Sequence, residues 1–229
     1  MAFHLDVLFE DNHLLVVNKP AGVATMGVTA DQASLVREAK KYIKRKYRKP
    51  GNVYLGVVSR IDSVASGVVV LARTSKAAAR LSAQFRSRKV QKTYLAVVAG
   101  RVEHSGELVD YLAKDEAQRR MVVVDASAAG GKLAQLVVRP LSDVKSGTLV
   151  EIELETGRKH QIRVQLASRG HPVHGDGKYG NRAAFAGQFG PAIALHAYRL
   201  GFAHPVRAEL LEFTAPVPDT WRRLGVALE

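Results

Sequence analysis

The sequence predicts an α+β protein in which strands far outnumber helices. Three observations carry that prediction. Short apolar or alternating runs recur along most of the chain, whereas few stretches have helical periodicity. The 229 residues suit one large domain or two small ones, and can bury a substantial core. Hydrophobic residues make up 47% and charged residues 24%, the ordinary balance of a folded domain. No internal repeat and no clear domain boundary is visible, so residues 1–229 read as a single domain.

Composition narrows the function. The formal net charge is +13, which points to a polyanionic partner, nucleic acid before all others. An anionic membrane surface is the competitor. No segment pairs a basic face with Trp and Phe as membrane-surface helices do, and the only tryptophan, Trp221, lies near the C-terminus. Cysteine is absent, which excludes a disulfide framework and cysteine-ligated zinc. The first residues lack a signal-peptide pattern, and no apolar run approaches membrane-spanning length. A cytoplasmic protein without membrane association is expected.

Taken in order, Val7–Phe9 and Leu14–Val17 read as two strands joined by a turn at Glu10-Asp11-Asn12. Asn18-Lys19-Pro20-Ala21-Gly22 follows with turn chemistry, and Lys19 is either a phosphate contact or a solvated lysine. A helix is expected from Asp31 or Ser34 to a stop before Pro50-Gly51, with Leu35, Ala39, Tyr42, Ile43 and Tyr47 on one face. It carries Lys40, Lys41, Lys44, Arg45, Lys46, Arg48 and Lys49 with no acid interleaved among them. Either this is a solvated face or the like charges are relieved by a phosphate backbone.

Val58 to Thr74 organises the chain. Asp62 sits beside Arg60, a small polar turn follows, and Val68–Ala72 reads as a buried strand. A carboxylate on a loop pinned by a rigid strand suits a reactive group. It also suits a turn aspartate neutralised by Arg60. A second helix runs from a cap at Thr74 or Ser75 to about Arg88, burying Ala77, Ala78, Leu81 and Phe85. Lys92–Gly100 is a strand with Tyr94 near its start, a packed ring or a platform for a base.

Residues 101–147 read as several short strands, clearest at Met121–Val124 and Leu133–Val138, with Gln118-Arg119-Arg120 as possible RNA contacts. Thr148–Glu155 alternates as a half-buried strand. A helix capped by Thr156 and ended by Gly170 would place His160 and Arg163 on one face. His171, His174 and Asp176 invite a metal reading, and with it a metal-dependent nuclease. Their spacing is not that of a helical metal motif, and Pro172 disfavours a helix. Two late strands joined through His204-Pro205 and a short helix around Trp221 close the chain.

Ser59-Arg60-Ile61-Asp62-Ser63-Val64-Ala65-Ser66-Gly67 resembles the H-R-L-D-x-x-T-S-G motif of the RluA-type RNA pseudouridine synthases. Lys92–Ala96 and Thr156–Arg163, the latter continuing through His171-Pro172 and Gly175-Asp176 to Tyr179-Gly180, resemble the family's second and third segments. Asn18–Gly22 and Leu195-His196-Ala197 match as well, so the resemblance spans nearly the whole chain in order. Ser59 and Ala65 depart from the usual histidine and threonine. The N-terminal S4 domain of many relatives is expected to be absent.

The resemblance implies an α+β pseudouridine synthase fold, a large, mainly antiparallel mixed sheet with flanking helices and a central RNA-binding cleft. It implies isomerisation of uridine in ribosomal or transfer RNA, whose stoichiometry requires no cofactor; no metal is expected, and a monomer is the default. Asp62 would be the catalytic carboxylate, as nucleophile or base. Arg163 would pair with it, and Tyr94 would stack on the uracil. Arg60 would fill the gap left by the flipped nucleotide. Lys19, Lys40, Lys41, Lys44, Arg45, Lys46, Arg48, Lys92, Arg158 and His160 are the remaining candidate RNA contacts. A catalytically impaired RNA binder on the same fold is the alternative, motivated by Ser59 and Ala65.

Overall fold

A computed structural model describes residues 3–27, 29, 33–145, 147–180, 192–207 and 209–227. The elements begin with β1 (Asp6–Glu10), β2 (Leu14–Lys19), α1 (Leu35–Lys46), β3 (Gly56–Val57), β4 (Ser66–Ala72) and α2 (Ser75–Arg86). Then come β5 (Gln91–Ala99), β6 (Gly106–Asp115), β7 (Arg120–Val124), β8 (Lys132–Val144) and β9 (Gly147–Leu154). The chain continues with α3 (Gln161–Ala167), β10 (Leu195–Ala203), β11 (Leu210–Thr214) and a final 3₁₀ turn, Asp219–Leu224. Eleven strands and three α-helices among the described residues agree with the α+β expectation. The chain forms two compact units, residues 1–91 with 197–216, and residues 92–196 with 217–229.

In the first unit β2 pairs antiparallel with both β1 and β4, and β10 pairs antiparallel with β11. Every residue of β4 is buried, as its β-branched run requires. Helix α1 begins at Ser34, whose side chain accepts from the Arg37 amide. Asp31, the other expected start, lies outside the described residues. Leu35, Ala39 and Ile43 seal α1 onto Leu15, Val17, Val69 and Leu71. Thr74 caps α2 by accepting from the Ala77 amide.

Gly67 shows why the motif around Asp62 ends as it does. Its φ is +119°, and a Cβ there would lie 2.2 Å from the Ala197 carbonyl oxygen. Only glycine permits both the conformation and the close approach.

In the second unit the strands run β5-β9-β8-β6-β7, each pair antiparallel. The expected several short strands in 101–147 prove to include two long ones, β6 of 10 and β8 of 13 residues. β8 continues past Pro140 through a register shift between Pro140 and Ser142, where an imino residue costs no ladder bond. Helix α3 also differs from expectation: it begins at Gln161, not after Thr156. The Thr156 hydroxyl is used elsewhere, donating to Gln161 Oε1 at 2.8 Å and accepting from the Gln135 amide at 2.8 Å. His160 precedes the helix in the left-handed conformation, φ 54°.

Candidate active site

Asp62 stands on the loop between β3 and β4, half-buried, at the head of a tight turn closed by the Ala65 amide donating to the Asp62 carbonyl at 3.1 Å. Neighbouring segments tie this turn down. The Gly22 amide donates to the Ser63 carbonyl at 2.8 Å, and Thr25 Oγ1 to the Ile61 carbonyl at 3.3 Å. The strongest tie is Lys19 at the end of β2. Its Nζ donates to the carbonyls of Ala65 (2.7 Å), Val23 (2.7 Å), Pro20 (2.8 Å) and Ser63 (3.3 Å).

This corrects the reading of Lys19 as a phosphate contact: its side chain is wholly buried and its donors are taken by backbone. Burial pushes the Lys19 ammonium down to about 7, and the charge of Asp62 opposes that. The chain therefore places a buried amine behind the Asp62 turn, where it donates to four carbonyls. Arg60, two residues before Asp62, is exposed.

In the second unit Arg163 is buried on α3. Its Nε donates to Asp176 Oδ2 at 2.6 Å and its Nη2 to Oδ1 at 2.8 Å, a bidentate fork. The amides of Lys178 and Tyr179 also donate to Oδ1. Burial pushes the Asp176 carboxyl up, but the Arg163 hydrogen bonds and charge, with the two amides, outweigh it and hold the group below its ordinary value. The Tyr179 ring lies 5.0 Å from the Arg163 guanidinium. The Tyr179 hydroxyl accepts from the Met121 amide at 3.0 Å and meets His160 Nδ1 at 2.7 Å. His160 is not on the helix, yet it and Arg163 share Tyr179.

The loop 171–180 therefore has a different use from the metal reading. Both oxygens of Asp176 face Arg163, and His171 Nδ1 lies 3.0 Å from the Ala99 carbonyl. Among the described residues no three His, Asp or Glu side chains are grouped to hold a metal. Sequence reasoning gave Asp176 no role beyond the disfavoured metal reading, and its pairing with Arg163 is new. Arg163 thus has a charge partner in Asp176.

The other candidates lie on β5, on α1 and in the segment before α3. Tyr94 is half-buried on β5, opposite Ile152 of β9. Lys92 opens the same strand, its Nζ 3.4 Å from the Glu155 carbonyl. Arg158 donates through Nε to the Leu133 carbonyl at 2.9 Å. On α1, Lys40, Lys41, Lys44 and Arg45 are exposed, and Arg48 lies just beyond.

Two of the α1 cations, Lys41 and Lys46, do have acidic relief, contrary to expectation. Glu38 accepts from Lys41 at 2.8 Å. Glu10, brought from β1, accepts from Lys46 (2.7 Å), Tyr42 (2.8 Å), Tyr47 (2.7 Å) and Arg73 (2.9 Å). The Glu10 hydrogen bond raises the Lys46 ammonium above its ordinary value. Lys46 is thus engaged internally, whereas Lys40, Lys44, Arg45 and Arg48 have no acidic partner among the described residues.

With this geometry in view, the comparisons are informative. Residues 13–168 match the family model described as RNA pseudouridylate synthase. The chain is 36% identical over 227 residues to the ribosomal large subunit pseudouridine synthase D of Zymomonas mobilis, covering 96% of this chain and 71% of that protein. It is 34% identical over 226 residues to the ribosomal large subunit pseudouridine synthase C of Vibrio parahaemolyticus, covering 97% and 69%. Among solved structures, human RNA pseudouridylate synthase domain containing 4 superposes with a TM-score of 0.80 at 24% identity, over 97% of this chain and 94% of that one, and shares the fold. The first curated relatives are spanned over between 59% and 71% of their length. The chain belongs to the RNA pseudouridylate synthase family. Among the described residues no helix is long and apolar enough to cross a membrane.

Proposed function

We propose that this chain isomerises uridine to pseudouridine in large-subunit ribosomal RNA, with Asp62 as the catalytic carboxylate. The observation that carries the reading is the Asp62 turn, held by the Lys19 ammonium and lying within the matched segment. A held carboxylate meets the geometric demand of nucleophilic or base catalysis. The relatives' names supply the ribosomal substrate.

In the reaction the C1′–N1 bond breaks, the freed uracil turns over, a C1′–C5 bond forms, the C5 proton leaves and N1 takes up a proton. The sum is an isomerisation, balanced without oxidant, reductant or energy source. Asp62 acts at the ribose, as nucleophile or as base. Tyr94 stacks on the uracil and takes part in the C5 proton transfer. Arg163 supplies a buried positive charge. Exposed Arg60 fills the space left by the flipped nucleotide, whose extrusion costs about a few kcal/mol. The α1 cations, Lys92, Arg158 and His160 contact the RNA, except Lys19, which is buried, and Lys46, which is held by Glu10. Residues 1–229 act as one catalytic domain, a cytoplasmic monomer needing no cofactor.

The impaired alternative gains nothing from Ala65. The turn uses the backbone of that residue, its amide toward Asp62 and its carbonyl toward Lys19, so a methyl side chain leaves the scaffold whole. The test is tritium release from C5-labelled uridine in large-subunit ribosomal RNA, wild type against Asp62→Asn. Release by wild type alone supports the reading. Equal release by both removes Asp62 from the chemistry, and tight RNA binding without release by wild type would establish the impaired binder.

A further inference from the structure

The first unit contains an open groove of about 580 Å³ beside the α1 cations already assigned to RNA, and its apolar walls have no assigned role. One wall is the segment Phe3–Leu5 and the other is α1, which presents Lys41, Tyr42, Lys44 and Arg45. The volume falls in the range of small-molecule sites, roughly 300–1,000 Å³. The chemistry divides sharply: the walls are largely apolar, and the lip is cationic. Tyr42 is held by its hydroxyl on Glu10, so its ring is fixed without any ligand. Phe3 packs partly against the core under α1. The one acid of the lining, Glu38, is neutralised by Lys41. Lys44 and Arg45 are exposed and have no acidic partner among the described residues.

Aromatic faces beside unpaired cations are how proteins hold single-stranded nucleic acid: bases stack and phosphates meet the charges. An anionic partner also fits the net charge of +13. We propose that this groove takes one unpaired nucleotide of the substrate RNA, its base against Phe3 and Tyr42 and its flanking phosphates on Lys44 and Arg45. No residue of the groove belongs to the Asp62 turn or to its ties. The site therefore binds a nucleotide other than the one isomerised, and sets which unpaired element must accompany the target. The inference rests on the reading of RNA as substrate, but its test does not use catalysis.

The experiment compares a fluorescein-labelled 12-nucleotide single-stranded RNA of mixed sequence with a 12-base-pair RNA duplex by anisotropy. Lys44→Glu/Arg45→Glu should weaken both probes at least tenfold and flatten the salt dependence. Phe3→Ala should weaken the single strand about tenfold and spare the duplex, because stacking needs an exposed base face. Circular dichroism confirms that each variant is folded. 4-Thiouridine crosslinking in the single strand should label residues 3–5 or 42–45. Equal loss of both probes in Phe3→Ala, unchanged affinity in the double variant, or crosslinks confined elsewhere would each overturn the proposal. Affinity and crosslinking are read without turnover, so a failure of the catalytic reading leaves this result intact.

Discussion

Arg163 and Asp176, thirteen residues apart, meet in a buried two-point ion pair, Nε to Oδ2 at 2.6 Å and Nη2 to Oδ1 at 2.8 Å. Asp176 also collects two amides of its own loop, so one carboxylate fixes both a helix and the turn that follows it. Asp176→Ala should cost about 3–5 kcal/mol, because it strands a buried guanidinium. Denaturant unfolding measures it. Since the folded value lies below the ordinary 3.8, the stability contributed by Asp176 is complete above about pH 4 and is lost as pH falls through the folded value. Wild type should show this acid limb and Asp176→Ala should have lost its share.

Lys19→Met should leave four carbonyls without their shared donor and free the Asp62 turn. A loss of about 3 kcal/mol is expected, from hydrogen bonds to a charged group. Tritium release should fall with it even at temperatures where the variant is fully folded. Unchanged release in folded Lys19→Met would show that the turn holds its shape without the ammonium.

Gly67→Ala should destabilise by more than about 3 kcal/mol, combining a positive φ with a clash against the Ala197 backbone. The contrast is Gly157→Ala, whose Cβ would meet nothing within 4 Å. A small shift in the denaturant midpoint is expected there.

Tyr94→Phe keeps the ring and removes the hydroxyl. If the hydroxyl takes part in proton transfer, kcat should fall about 10²–10⁴-fold with little change in RNA affinity. A fall in affinity alone would assign Tyr94 to stacking only.

Two lysines of α1 should behave differently. Lys44→Ala should reduce RNA affinity at every sequence and lower the salt slope by about one. Lys46→Ala should do less to binding and more to stability, since Lys46 is spent on Glu10 and on the rings of Tyr42 and Tyr47. Titration at two salt concentrations separates them.

Periodicity and turn chemistry made β4, α1, α2 and β9 legible, because their apolar residues fall on one face and their ends carry Ser34, Thr74 or glycine. The candidacy of Asp62, Tyr94 and Arg163 came only from motif order. Three features were not. Lys19 reads as a surface lysine, since nothing local says that four carbonyls converge on it. The start of α3 is hidden because His160 adopts a left-handed conformation that its residue type rarely takes. Glu10 relieves the α1 cations from a distant strand, and a search for acids within the helix could not find it.

The first unit is discontinuous: residues 197–216 return to complete what residues 1–91 begin. During synthesis, β4 and Gly67 therefore leave the ribosome long before Ala197 exists. At about 5–20 residues per second, the intervening segment takes about 6 to 26 seconds to emerge. Through that interval the apolar β4 is exposed to solvent and chaperones on the side that the late strand will occupy. Expression yield should accordingly depend on the C-terminal third of the gene, even though the turn bearing Asp62 is encoded in the first.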